Sequence, residues 1–364
     1  MMARSADSCC CNLYMRLSDY GVNGNTFKLE KAICNHGFFM MAPNHWDTYS
    51  ITFTRPLRLT TSLSVTVSVS QPPTQNQLLL KIHHATLLSP EDQHAIKAQV
   101  ARMFRLSVVD ENAIQEFHKL HLDARNQEFG RLFRSPSLFE DIVKTLLLCN
   151  CNWQRSLEMA KALCKFQYEL DKGVLVKRNG GTWRRKQRSV VEACSLGLGN
   201  FPSCEEIALL SESDELNKFC NLGYRARFIL RLAQYIVSGK LQLQKYEMMK
   251  MNDNTKTTTQ IMASLQTIKG VSKFASANIM MCLGYYQFIP CDTETIRHLK
   301  EFHGIKDCCK TSVASNVKML YETYSPFNCL AYWFELVKEY ERQLGKSLSE
   351  LKNSEYICVT GKKS

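Results

Sequence analysis

Asp292 is the carboxylate that this sequence holds in the most constrained setting. It ends the run Ile289-Pro290-Cys291-Asp292 and stands directly before a helical pattern that opens at Thr293. Upstream lies an apolar stripe of Ile261, Leu265 and Ile268. A tight turn, Lys269-Gly270-Val271-Ser272, follows it, and then a second stripe of Ala275, Ile279 and Leu283. A hairpin of this kind, with the N-terminus of its second helix, turns backbone N–H groups outward, where they take an anion such as a nucleic-acid phosphate. Gly270, Val271 and Ser272 are therefore candidate phosphate-binding residues, and the next segment returns Asp292 to the same face. A carboxylate there can stabilise developing positive charge, and it can orient or activate water. Asp is also a preferred helix N-cap. The two roles are compatible, because a helix N-terminus keeps the carboxylate ionised.

The elements that must position these residues follow from patterning. The chain has 364 residues and 45% hydrophobic content, enough for two or three domains with real cores. Residues 1–25 read as a disordered start and residues 26–86 as an antiparallel β-rich domain. Within it, Leu63, Val65, Val67 and Val69 alternate with Ser and Thr, the period of a half-buried strand. Pro72-Pro73 ends that strand, and Leu78 to Ile82 reads as its return. Ser89-Pro90-Glu91 then caps the first of many helices. Residues 87–350 read as a helical domain whose hairpin spans 261–285, and residues 351–364 read as a tail. The resulting class is α+β, mainly α-helical with an N-terminal β-rich domain. Residues 171–200 form an insertion without apolar period that carries Lys177, Arg178, Arg184, Arg185, Lys186 and Arg188. It reads as a solvated loop, a nuclear localisation signal or a DNA-binding loop.

Composition narrows the partner. A net charge of +12 favours a polyanion. No apolar run approaches the ~18 residues of a membrane span, so no membrane partner is expected. Sixteen cysteines invite a metal or disulfide reading, but no Cys-x-x-Cys pair occurs. Cys149, Cys164, Cys220 and Cys282 sit inside apolar helical patterns as small hydrophobes. The expectation is reduced thiols in an intracellular compartment, with no metal set and no cofactor.

Taken together, these segments resemble the helix-hairpin-helix DNA glycosylase superfamily, nearest to its 8-oxoguanine and 3-methyladenine glycosylase branch. The hairpin followed by a Pro-containing loop and Asp292 carries the resemblance. So do Asn221-Leu222-Gly223-Tyr224-Arg225-Ala226-Arg227, the turn Leu148-Cys149-Asn150-Cys151-Asn152-Trp153, and the leading GFFMMAPNHWD and TRPLRL runs. The matches span roughly Phe27 to Gly345. The resemblance implies base excision from double-stranded DNA in the nucleus or another DNA-containing compartment, by a monomer that flips the damaged base into a pocket. It implies that Asn150, with Asn152 beside it, fills the hole left in the duplex, and that Tyr224 and Arg225 face the orphaned base. In such enzymes the hairpin carbonyls can also hold a monovalent cation.

The resemblance also locates a nucleophile position. Bifunctional members place a lysine fifth from the first hairpin glycine, and counting from Gly270 that residue is Phe274. Its neighbour Lys273 takes the place if the hairpin carries a one-residue gap. Phe274 implies a monofunctional hydrolase and Lys273 a glycosylase with lyase activity. A catalytically silent damage-sensing module is the third reading. Ser272 replaces the second hairpin glycine, which implies a less ideal hairpin. Near the C-terminus, Tyr332 stands where the 8-oxoguanine enzymes use Gln, and Glu294 stands where they have His two residues after the Asp. A tyrosine does not reproduce an amide's paired donor and acceptor. The expected pocket therefore favours stacking on an electron-poor, alkylated base.

Overall fold

The computed structural model describes residues 10–24, 26–73, 76–83, 87–177, 182–186, 198–249 and 255–360, with the side chains of residues 255 and 256 left aside. Five antiparallel strands make the N-terminal sheet: β1 (Cys10–Arg16), β2 (His45–Asp47), β3 (Thr52–Arg58), β4 (Ser64–Ser70) and β5 (Gln77–His83), in the order β1-β5-β4-β3-β2. The two strands read from alternation pair in the register Val67 with Ile82 and Val69 with Leu80. The expectation of a disordered start fails for residues 10–16. They pair along the whole of β5, and Leu13 and Met15 turn into the core. Sheet pairing explains the miss, since the alternation of Leu13, Met15 and Leu17 is too short to stand out by itself. Residues 1–9 lie outside the described part.

Helices take over after residue 89. Those that build the site are α1 (Leu138–Leu148), α2 (Trp153–Asp171), α3 (Arg225–Val237), α4 (Thr255–Gln266), α5 (Lys273–Leu283), α6 (Thr293–Glu301), α7 (Val313–Tyr321) and α8 (Asn328–Leu344). Four short helices escape the sequence patterns: Leu29–Ile33, Leu122–Asn126, Ser213–Cys220 and Gln244–Met249. Part of the basic insertion is ordered as a ribbon of β6 (Leu175–Lys177) and β7 (Trp183–Arg185). Arg185 pairs with Glu169 at 2.8 Å, and Val174 and Leu175 are buried, which is why this part is no free loop. Arg178 and Arg188 lie outside the described residues. The expected tail is also packed as far as residue 360. Leu351 and Tyr356 are buried, and Trp153 Nε1 donates to the Tyr356 carbonyl at 2.7 Å.

One buried ionic cluster bolts the sheet to the helices. Arg55 of β3 faces inward and forms a two-pronged pair with Glu140 of α1, at 3.1 Å (Nη1–Oε1) and 2.9 Å (Nη2–Oε2). Lys144, one turn further along α1, lies 2.8 Å from the same carboxylate, with its side chain wholly out of solvent. Burial alone would raise the Glu140 pKa, but Arg55 and Lys144 reverse this and hold it at about 2. Burial lowers the Lys144 pKa, with Glu140 opposing.

Glu140→Gln leaves two buried cations without an anion and should cost about 3–5 kcal/mol in urea unfolding. Lys144→Met keeps the Arg55–Glu140 pair and should cost less. Glu140's pKa is lowered on folding, so its contribution is present above its ordinary value of 4.5 and fades as pH falls from there towards about 2. Equal losses for the two variants would show that Glu140 is not the anchor.

Candidate active site and nucleic-acid interface

Three helices at the site, α2, α5 and α6, begin at a short polar side chain that caps them. Ser272, at φ −83°, caps α5 by accepting from the Ala275 N–H at 3.2 Å. The expected penalty for losing a glycine here is therefore absent, since Ser272 does not need positive φ and is a preferred cap. Gly270 does need it, at φ +94°, and a Cβ there would lie 2.7 Å from the Phe228 ring. Val271 is corrected as a phosphate donor. Its N–H closes the turn onto the Ile268 carbonyl at 3.0 Å, and its side chain is buried. Lys273 and Phe274 are the first residues of α5, so their amides face outward without an intrahelical partner. Exposed Lys269 and Lys273 flank the turn, and Arg231, Lys240 and Lys269 line a depression beside it.

Asp292 caps α6. Its Oδ1 accepts from the Thr295 N–H at 3.0 Å, and the Thr295 hydroxyl returns to Asp292 at 3.2 Å. Buried Thr295 also meets the Tyr332 hydroxyl at 3.0 Å, so α8 and α6 are tied at the carboxylate. Tyr332 is itself buried, with its phenol pushed well up by that burial and by Asp292. Asp292 opens onto a cavity of about 450 Å³, shared with Phe274, Asn278, Glu294, Tyr332 and Trp333. The enclosing protein raises its pKa above the ordinary 3.8, and the Thr295 N–H opposes the rise. Glu294 is engaged by Arg297 at 2.6 Å and by the Tyr340 hydroxyl at 2.9 Å. Phe274 lies on the cavity wall. Lys273 is exposed and is not among the residues that line it.

The wall opposite Asp292 escaped sequence reasoning. It consists of His36, Gly37, Phe38 and Met40 from the leading domain, Trp153 from α2, and Val359 and Thr360 from the chain's end. His36 is edge-on to Trp333 at 4.5 Å and to Phe38 at 4.7 Å. Burial, with Arg105 and Lys144 nearby, lowers its pKa to about 3, so it is neutral at physiological pH. Its Nδ1 accepts from the Phe38 N–H at 3.4 Å, which puts the ring proton on Nε2. Only the GFF run hinted at this wall.

The turn of residues 148–153, a wedge turn by the resemblance, stands beside the hairpin, with Cys149 within reach of Ser272. Asn150 is exposed, in the left-handed region at φ +48°, and its amide reaches the Tyr224 hydroxyl at 3.4 Å. Asn152 is the cap of α2, accepting from the Arg155 N–H at 2.8 Å. Tyr224 is exposed and its hydroxyl donates to the Cys149 carbonyl at 3.2 Å. Arg225 requires a correction. It is buried, and its guanidinium donates to the carbonyls of Leu146 at 3.2 Å, Asn150 at 3.1 Å, and Cys149. The carbonyls of Cys149 and Asn150 lie past the end of α1, so Arg225 supplies donors to them and is not free to meet a base edge.

Arg225→Ala should therefore cost about 1–3 kcal/mol in urea unfolding, because it strands the turn's carbonyls. Tyr224→Ala, at an exposed position, should cost under about 1 kcal/mol. The reverse order would remove Arg225 as the turn's support.

No model of a known protein family matches the sequence, and no curated protein matches it. Solved structures do. A 3-methyladenine DNA glycosylase from Archaeoglobus fulgidus matches with a TM-score of 0.56 at 15% identity, covering 91% of this chain and 98% of that one. An 8-oxoguanine glycosylase/lyase from Clostridium acetobutylicum, in complex with duplex DNA bearing cytosine opposite 8-oxoG, matches with a TM-score of 0.55 at 15% identity. That match covers 86% of this chain and 92% of the other. The chain has the fold of these helix-hairpin-helix DNA glycosylases, a helical core carrying an N-terminal antiparallel sheet.

Proposed function

We propose that the protein is a monofunctional DNA N-glycosylase of base-excision repair, acting as a monomer on double-stranded DNA in the nucleus or another DNA-containing compartment. The observation that carries this reading is the shared cavity. Asp292 opens into it, Phe274 lies on its wall, and Lys273 lies outside it. The outward amides of Lys273 and Phe274, with exposed Lys269 and Lys273, hold the phosphate backbone. Asn150 and Tyr224 occupy the gap left when the nucleotide is flipped. Asp292 stabilises the positive charge that builds on the deoxyribose as the base departs, and it orients the attacking water. With Phe274 in the nucleophile position, no amine attacks the sugar.

Apart from Asp292 and Glu294, the walls of the base pocket are largely aromatic and uncharged. Phe38, Trp153, Phe274, Tyr332 and Trp333 offer π faces, and His36 is uncharged. Such walls favour a flat, electron-poor base, as an alkylated purine is.

Both parts of the reading can be tested on one duplex panel carrying alkylated, oxidised or deaminated bases. Asp292→Asn should lower base release by at least about 100-fold. DNA affinity should change little, because the phosphate contacts remain. Wild-type excision by this variant would end the catalytic assignment. Borohydride should trap no covalent protein–DNA adduct in the wild type, since trapping needs a Schiff base. Strand breakage should require alkali or a separate lyase. An adduct that disappears in Lys273→Gln would instead identify Lys273 as the nucleophile.

A further inference from the structure

Behind the cavity, α6 and α8 carry a second cluster that the glycosylase reading does not use. His298 of α6, His303 just beyond its end and Glu335 of α8 bring two imidazole nitrogens and a carboxylate oxygen within 4.8 Å of one another. The Glu335 Oε2 atom is 2.9 Å from His303 Nε2 and 3.5 Å from His298 Nε2. Ligand atoms about 2.0–2.2 Å from a tetrahedral ion are separated by ~3.3–3.5 Å, so one short separation has to open and the triad needs only small shifts. His298 is fully buried. The side chains of His303 and Glu335 are 18% and 20% exposed, which leaves a path for an ion and for water.

The outer shell is what a metal site needs. Glu339 lies one helical turn beyond Glu335 on the same face of α8. Its Oε2 is 2.6 Å from His298 Nδ1, and its Oε1 is held by Arg297 at 2.6 Å. A carboxylate on Nδ1 fixes the proton there and leaves the Nε2 lone pair for an ion. In the neutral ring that lone pair faces the anionic Oε2 of Glu335. Two acceptors so opposed are bridged by a hydrogen-bond donor or by a positive charge. The Tyr321 hydroxyl is the donor present, 2.5 Å from Glu335, 3.2 Å from His303 Nε2 and 3.4 Å from His298 Nε2, and burial with the Glu335 charge keeps that phenol protonated. A metal ion in its place would supply the charge, with the phenol moved aside and water taking the fourth position.

We propose that His298, His303 and Glu335 bind one divalent transition-metal ion, with Glu339 as the outer partner of His298. Two imidazoles and one carboxylate are the donors of zinc, whereas magnesium and calcium prefer all-oxygen sites. The ion would join α6, which begins at Asp292, to α8, which carries Tyr332. It would thus brace two walls of the cavity without touching the substrate. The spacing of these residues in sequence resembles no metal motif, because the carboxylate arrives only 32 positions after His303.

The test uses the full chain, dialysed against chelator and then titrated with zinc chloride or cobalt chloride alone. One equivalent should bind. Cobalt should show the visible bands of a four-coordinate nitrogen- and oxygen-ligated ion, without thiolate charge-transfer absorption. His303→Asn and Glu335→Gln should each weaken binding by more than about 100-fold, and Glu339→Gln by about 10–100-fold. Cys309→Ser, at an exposed thiol, should change nothing. Circular dichroism identifies any variant that fails to fold, and the wild-type cobalt spectrum needs no variant. Three results would overturn the site: substoichiometric zinc, a thiolate-type cobalt spectrum, or binding that survives both His303→Asn and Glu335→Gln. In those cases the Tyr321 hydroxyl is what joins the three side chains.

Discussion

Glu140 is the anion on which the relative placement of sheet and helices depends. It is buried with two cations, and among the described residues neither cation has another carboxylate this close. Removing a charge from such a cluster is expensive, while a full set is close to neutral in stability. The cluster therefore acts less as a source of net stability than as a condition. Sheet and α1 can dock only where Arg55 meets Glu140. Because α1 ends in the wedge turn and its flank helps to bury His36, that condition also sets where Asn150 stands and how His36 is charged. The neutrality of His36 follows in part from Lys144. The structural ion cluster and the chemistry of the cavity wall are thus electrostatically coupled.

Helix termini are the second organising device. Ser272, Asn152 and Asp292 all perform the same local act, in which a short oxygen-bearing side chain accepts from an N–H one turn ahead. At Ser272 the cap leaves the first two amides of α5 facing outward. At Asn152 it starts α2 directly after the exposed Asn150. At Asp292 it fixes the carboxylate that opens onto the cavity. A cap and a charge stabiliser need the same thing, a carboxylate that stays ionised and does not swing. The helix terminus and the Thr295 N–H favour the charged form, and the enclosing protein disfavours it. The net upward direction for Asp292 shows that enclosure prevails here.

The features legible in sequence were the local ones. The hairpin, the strand alternation at Leu63 to Val69 and the capped start at Ser89 each lie within a short window, where period and turn chemistry decide the outcome. Asp292 was legible for the same reason, and Ser272 was misjudged only because it was compared with a glycine and not read as a cap. What escaped depends on distant partners. Residues 10–16 become a strand because β5 offers an edge. Arg225, expected beside Tyr224 at the orphaned base, is buried because the carbonyls of residues 149 and 150 draw the guanidinium inward. The insertion is partly a ribbon because Glu169, on α2, holds Arg185.

The cavity shows why such partners matter. Its walls come from residues near 36–40, 148–156, 274–294, 332–340 and 348–360, so no single window of the chain contains it. Two tryptophans secure the two ends of the chain. Trp46 donates to the Ser349 carbonyl at 2.8 Å and Trp153 to that of Tyr356. Each bond satisfies an indole N–H, that of buried Trp46 and that of half-buried Trp153. The C-terminal segment is thereby fixed against the leading domain, and the cavity is closed by contacts more than 200 residues apart in sequence. A helical core with its hairpin would by itself hold the Asp292 carboxylate at its helix cap. The enclosure that shields the cavity and raises that carboxylate's pKa requires the chain's first and last segments to meet.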